Sequence, residues 1–410
     1  MVNTNNLFDP GKLTTVMDGG AGSSGKGKLG SFIAANADNW TFACNSFAPQ
    51  AGHWARLKDG RKYFYQTLNS CAYQNKYEKL YLGPGSIIEL PALLREMEEN
   101  NVPRSKLGIS PVIPILEDID AAFERGTMGF DGAPAMNHEG TSKFGSTGHG
   151  VGSVVARRVL RRPSLKLAKD IPALKDMICD VPYEIMHRLD RGESGLFELA
   201  QGFQLSLMHP YHFPYVTSRN VTVAQGFSDM FLPTKYAGQV VLNFRTFPIR
   251  INSNKYIGEN GKHLTWGEVQ SGIPHVVYYG DSGKWYPDQT ELTWEDVTRD
   301  SGSISPIMEI TSVTKLPRRV ATFSKINVDE AIRHNDTGHG VHLSINFLNY
   351  IDCKVQGVTE VSKLTPKVKT WLLDNLSKHL DKVHILGTFW NTEDSILLDG
   401  TGWINAIPNS

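Results

Sequence analysis

Leu13-Thr14-Thr15-Val16-Met17-Asp18-Gly19-Gly20-Ala21-Gly22-Ser23-Ser24-Gly25-Lys26-Gly27-Lys28 is the stretch whose reading decides the fold. Leu13 to Met17 reads as a short apolar strand that runs into the glycine-rich stretch Asp18 to Gly30, and Leu29 to Ala37 reads as the start of a helix. Gly20 to Lys26 fits the GxxxxGK spacing of a phosphate-binding loop, in which backbone N–H groups and a helix N-terminus meet phosphate and the lysine adds a point charge. The residue after Lys26 is Gly27, not the Ser or Thr whose hydroxyl normally holds magnesium, so a metal needs another ligand here. The plainer alternative is a flexible turn with a solvated lysine, but a strand before the loop and a helix after it favour phosphate.

Outward from the loop the same theme recurs. Leu80 to Leu82 before Gly83-Pro84-Gly85, Leu196 to Leu199 before Ala200-Gln201-Gly202, and Val240 to Phe244 read as buried strands, and Leu90 to Glu99, Ile171 to Leu189 and Pro366 to Leu380 carry helical spacing. This alternation predicts an α/β fold with a mostly parallel central sheet and flanking helices. At 410 residues the chain exceeds the usual domain, yet large α/β enzymes build one unit of this length. We read residues 1–410 as a single domain, with a shift towards Gly, Trp, Tyr and charged residues between about 252 and 303 marking an insertion or subdomain.

Lys plus Arg and Asp plus Glu balance at 42 each, which gives no electrostatic case for nucleic acid or membrane as a partner. The polar start of the chain and the lack of a long apolar run predict a cytoplasmic location. Cys44, Cys71, Cys179 and Cys353 lack CxxC spacing and suit reduced thiols better than a disulfide framework or zinc site.

Further blocks follow the loop in order: Gln50-Ala51-Gly52-His53, Gly145 to Gly152, Ala200-Gln201-Gly202, Pro214 to Asn220, Val313 to Arg319, and Asn391 to Ile396. With GKGK at residues 25–28, this colinear set resembles the adenylosuccinate synthetase family. The resemblance implies a P-loop NTPase-like fold and a two-stage reaction. The γ-phosphate of a nucleoside triphosphate moves to the 6-oxygen of a purine nucleotide, and L-aspartate then displaces it. It implies Lys26 and His53 as catalytic groups, with Ser23 in the place of the family's carboxylate base. Gly22, Ser24, Gly25, Lys26, Gly27, Asn346, Phe347 and Gly387 fall on the triphosphate site. Ser23, Gln50, Ser146, Thr147, Arg161, Gln201, Thr217 and Ile251 fall on the monophosphate site. Val313, Thr314 and Arg318 fall on the aspartate site, and Ser23 and Gly52 stand as ligands of Mg²⁺. Arg161 matches an arginine shared across a homodimer, with Arg158 the fallback among four arginines from 157 to 162.

Three departures carry more than the matches. Ser23 is a poor base but leaves room for a purine 2-amino group, and Asp18 is a conceivable replacement base or a cap of the loop. Leu316 stands where the family usually places an arginine against the ribose 2′-hydroxyl, which is compatible with a deoxyribose. Ser344 to Phe347 lack the carboxylate that reads guanine, so ATP or dATP is expected as donor, stacked among Ile345, Phe347 and Phe389. Together these resemble the phage branch of the family, whose acceptor is dGMP. An ordinary enzyme using IMP and GTP, or a non-catalytic nucleotide-binding paralogue, remain as alternatives.

Overall fold

The computed structural model describes residues 3–129, 147–252, 254–259, 262, 264–278, 281–311, 316–400 and 402–409. Among them the strands are, in chain order, β1 (Leu13–Asp18), β2 (Phe42–Asn45), β3 (His53–Arg56), β4 (Lys62–Tyr65), β5 (Lys79–Leu82), β6 (Leu107–Ile109), β7 (Gly195–Gly202) and β8 (Ala237–Arg245). They continue with β9 (Ile249–Arg250), β10 (Lys255–Gly258), β11 (His275–Tyr278), β12 (Glu291–Leu292), β13 (Arg319–Ala321), β14 (Val341–Asn346), β15 (Val383–Gly387) and β16 (Ser395–Leu397). Nine form one sheet in the order β16-β15-β14-β8-β1-β7-β2-β5-β6, parallel throughout except for β16.

β1 lies near the middle of this sheet and all six of its residues are buried, as an apolar strand covered on both faces must be. Its alternation divides the core. Leu13 and Met17 join the cluster with Phe197, Leu242 and Leu343, while Val16 joins the one with Leu29, Ile33 and Leu80 on the other face. The C-terminal ends of β1, β7, β8, β14 and β15 converge on one edge, the usual place for ligands in an open parallel sheet.

Helix α1 runs over Lys26–Ala35, three residues earlier than the apolar pattern indicated, because Gly25 at φ +86° starts it directly from the loop. Helix α2 covers Leu90–Glu99 as expected. The continuous helix expected from Ile171 to Leu189 is replaced by a 3-10 turn, Pro172–Met177, and a separate helix, Val181–Asp190. Pro182 cannot donate in a helix interior but suits a first turn, and the Asp180 side chain accepts from Tyr183 N at 3.1 Å to cap it. Among the described residues between 252 and 303, β10 and β11 pair with each other, while β12 joins β13 and β9 in a small sheet outside the main one.

Candidate active site

The loop after β1 is held open by its own strand. One Asp18 carboxylate oxygen accepts from Gly20 N at 2.7 Å and the other from Ser24 N at 3.1 Å, so Asp18 caps the loop from inside. Burial raises its pKa against those donors. Across the loop, Asn243 at the end of β8 donates to Ser24 O at 3.0 Å and Ser24 Oγ at 2.8 Å. Ser23 takes φ +56°, and its carbonyl accepts from Arg245 Nη1 at 2.9 Å. Arg245 is buried and paired with Glu309, which also accepts from Tyr350 at 2.9 Å. Gly202, at the end of β7, lies so close to the loop that a Cβ would come within 2.3 Å of Gly20 O.

Lys26 opens α1 and is buried. Its ammonium lies 3.2 Å from His53 Nδ1 and 4.8 Å from the Phe47 ring centroid, on which the imidazole is stacked at 4.3 Å. Burial pulls the lysine pKa down to about 8 against the field of Glu198 and Asp18. Burial, and then the Lys26 charge, push His53 well below its usual range, so it is neutral at physiological pH. An ammonium only donates, so Nδ1 accepts and the proton sits on Nε2. That buried N–H has no partner among the described residues and is available to a substrate oxygen.

The absent P-loop hydroxyl has a packing reason. A Cβ on Gly27 would stand 2.8 Å from Trp54 O and 2.9 Å from Trp54 N, because β3 crosses the first turn of α1. The same crossing brings His53 to Lys26.

The adenylosuccinate synthetase family profile matches residues 16–169. The N6-succino-2-amino-2'-deoxyadenylate synthase of Acinetobacter phage SH-Ab 15497 is 30% identical over 353 residues, spanning 78% of this chain and 80% of that one. The chain belongs to the adenylosuccinate synthetase family. It is a ligase of the adenylosuccinate synthetase type. The adenylosuccinate synthetase of Methanocaldococcus jannaschii is 28% identical over 362 residues, with 88% and 89% of the two chains covered. Among solved structures, the cyanophage S-2L succinoaminodeoxyadenylate synthetase bound to dGMP and dATP superposes with a TM-score of 0.72 at 26% identity, over 96% of this chain and 97% of that one.

Within this synthetase the candidate residues scatter more than the motifs suggested. Gly22, Ser23, Ser24, Gly25, Lys26, Gly27 and His53 form one constellation, with Gly52 immediately before His53. Gln201, the last residue but one of β7, takes φ +64°, and Gln204 N reaches Gly20 O at 3.0 Å while Thr217 N reaches Leu205 O at 2.7 Å, which brings that loop against the phosphate loop. Gln50 has a buried Oε1 without a partner among the described residues. Thr147 and Ile251 are half-buried, Arg318 accepts Trp294 Nε1 on its carbonyl at 2.7 Å, and Ser146, Val313 and Thr314 lie outside the described residues.

The four arginines separate. Arg157 is buried against Asp120 at 3.0 Å, Arg158 donates to Pro84 O at 2.7 Å, and Arg161 is exposed in a left-handed turn past the helix Val151–Val159.

Residues of the expected triphosphate site are engaged within the protein. Asn346 donates to Ser24 O at 3.2 Å and Asn243 Oδ1 at 2.8 Å and accepts from Lys28 at 3.3 Å, so its amide holds the loop. Ile345 and Phe347 are sealed in the core, and only Phe389 of the three expected stacking residues is partly accessible. Gly387 packs against Asn346 and Lys28. Sequence reasoning missed Lys28, Asn243, Arg245, Glu309 and Trp54, which hold or crowd the loop. Asn243 and Arg245 stand at the C-terminal end of a strand already read as buried, where a polar residue is a usable signal.

Proposed function

We propose that the chain joins L-aspartate to C6 of dGMP at the expense of ATP or dATP, through a 6-phosphoryl intermediate, to give N6-succino-2-amino-2'-deoxyadenylate. Ser23 is the observation that carries this reading. Its hydroxyl stands in the loop where the resemblance expects a carboxylate, and the one nearby loop carboxylate, Asp18, faces inward onto Gly20 and Ser24. A hydroxyl leaves space beside N1 for a 2-amino group and offers it an acceptor. The unpartnered Gln50 Oε1 is a second acceptor of the kind a guanine edge requires. Leu316 is buried and apolar, so a deoxyribose there leaves no donor unpaired. The phage relatives and the dGMP- and dATP-bound neighbour agree with that chemistry.

In the first stage O6 attacks the γ-phosphorus, the bond to the nucleoside diphosphate breaks and the N1 proton is released to water. In the second the aspartate amine bonds to C6 and inorganic phosphate departs. Lys26 and the loop N–H groups hold the phosphates, and the neutral His53 donates from Nε2 to the O6 side of the transferring group. The Gly52 carbonyl and the Ser23 hydroxyl are neutral oxygens, a donor set that suits Mg²⁺ held mainly by phosphates and water. Mg²⁺, when bound there, neutralises charge on the β- and γ-phosphates. Thr147, Gln201, Thr217 and Ile251 surround the monophosphate, with Arg161 reaching it from the second copy of a homodimer.

Ser23→Asp tests the base assignment. The added carboxylate crowds a 2-amino group but suits a purine with hydrogen at C2, so kcat/KM for IMP over dGMP should rise about tenfold, equivalent to about 1.4 kcal/mol. An unchanged ratio in steady-state assays would show that Ser23 does not choose the base.

A further inference from the structure

The segment from Glu309 to Arg318 folds back on itself. Arg318 N donates to Glu309 O at 2.8 Å, Thr311 N to Leu316 O at 2.9 Å and Leu316 N to Thr311 Oγ1 at 3.1 Å, and Ile310 pairs with Pro317 in an antiparallel bridge. The turn between the two arms, residues 312–315, lies outside the described residues. The second arm carries Leu316 and Arg318, which the family resemblance sets beside the sugar and the aspartate. Trp294 Nε1 fixes that arm by donating to Arg318 O at 2.7 Å.

At the root of this hairpin the Glu309 side chain is 12% exposed. Arg245 grips both carboxylate oxygens, through Nη1 at 3.3 Å and through Nη2, and Tyr350 adds its hydroxyl at 2.9 Å. Burial opposes the charge of Glu309, but Arg245, and after it Arg318 and Tyr350, hold the carboxyl below its usual range. Arg245 ends β8, is buried, and lies over the rings of Phe347 and Tyr350 at 4.7 and 5.8 Å. The same Nη1 donates to Ser23 O at 2.9 Å. Ser23 sits at φ +56°, a left-handed state that a serine keeps only where its surroundings hold it there. One guanidinium therefore ties the phosphate loop, at Ser23, to the root of the hairpin. A planar fork with several donors suits this double duty better than the point charge of a lysine.

Resting on the ligase reading above, we propose that Arg245 and Glu309 are positioning residues that hold the hairpin 309–318 in register with Ser23, so that aspartate bound by the hairpin is aimed at the purine held at the loop. Neither residue is required to touch substrate. Their effect passes through Arg318 on one side and the Ser23 backbone on the other. Aspartate is the smallest reactant and has few contacts to spare, so its binding depends most on where the hairpin stands. The triphosphate rests on the loop N–H groups and Lys26, whose own ties run to Asp18, Asn243 and His53.

Steady-state kinetics of the full-length protein test this, with ATP, Mg²⁺ and L-aspartate and with dGMP and IMP in parallel as acceptors. Glu309→Gln keeps an acceptor for Tyr350 but removes the charge that faces Arg245 and Arg318. It should raise KM for aspartate about tenfold, the scale of a weakened hydrogen bond to a charged group, while KM for ATP stays within about threefold of wild type. Arg245→Met alone strands a buried carboxylate, whereas Arg245→Met with Glu309→Gln leaves no buried charge unpaired and should raise the aspartate KM at least as far. An aspartate KM within about threefold of wild type in both variants would overturn the proposal, as would an equal rise in KM for ATP, the mark of a general loosening. The same aspartate effect with turnover on IMP alone would keep the positioning role and remove dGMP as acceptor. Wild-type ATP turnover that ignores aspartate would remove the ligase reading and this proposal with it.

Discussion

His53 and His212 are both buried, but they meet opposite circumstances. His53 has one nitrogen on Lys26 and leaves Nε2 for a ligand, whereas neither ring nitrogen of His212 has a partner among the described residues. Burial, with Arg250 and His209 nearby, lowers the His212 pKa to about 3. An unfolded histidine titrates near 6.5, so the unfolded chain binds the extra proton first as the medium is acidified. The contribution of His212 to stability is complete above about pH 6.5 and falls by about 1.4 kcal/mol per pH unit below it, until about pH 3. His212→Phe should therefore be relatively more stable at pH 5 than at pH 7.5, by about 2 kcal/mol in the difference between the two conditions. Urea unfolding at both values measures it, and a variant whose difference from wild type is the same at each pH would rule this account out.

The crossing of β3 over α1 makes the element-level constraint visible at one position. Gly27→Ser would restore the usual P-loop hydroxyl, but its Cβ would collide with backbone of Trp54, which cannot rotate away. The two elements must separate, at a cost of about 1–3 kcal/mol, and Lys26 and His53 move apart with them. The variant should melt lower and turn over more slowly, whatever it gains as a metal ligand; an unchanged melting temperature with higher activity would refute the packing explanation. This crossing was not legible in the sequence, although its parts were. The strand at Leu13, the loop and the helix at Leu90 follow from local pattern, which β1 and α2 carry strongly. Pro182 divided a helix that apolar spacing alone joined. The neighbours of Asn346 and Phe347 are known only in three dimensions, where Asn346 faces Ser24 and Arg245 covers Phe347 at 4.7 Å.

At the scale of the whole molecule, one sheet brings distant segments to a single edge. Asp18, Gln201, Asn243, Asn346 and Gly387 lie at or within two residues of the C-terminal ends of five of its strands, and the hydrogen bonds of Asp18, Asn243 and Asn346 fix the loop before any substrate arrives. Such preorganisation places fixed donors where charge develops. The proposed choice of dGMP as acceptor rests on Ser23, the buried Leu316 and the Gln50 Oε1. The most direct test is a coupled assay of purified protein with ATP, Mg²⁺ and L-aspartate, varying the purine monophosphate and identifying the product by mass. The account expects aspartate-dependent ATP turnover with dGMP at the highest kcat/KM and a succinylated 2-amino-deoxyadenylate as product; a clearly higher kcat/KM with IMP and GTP would contradict it.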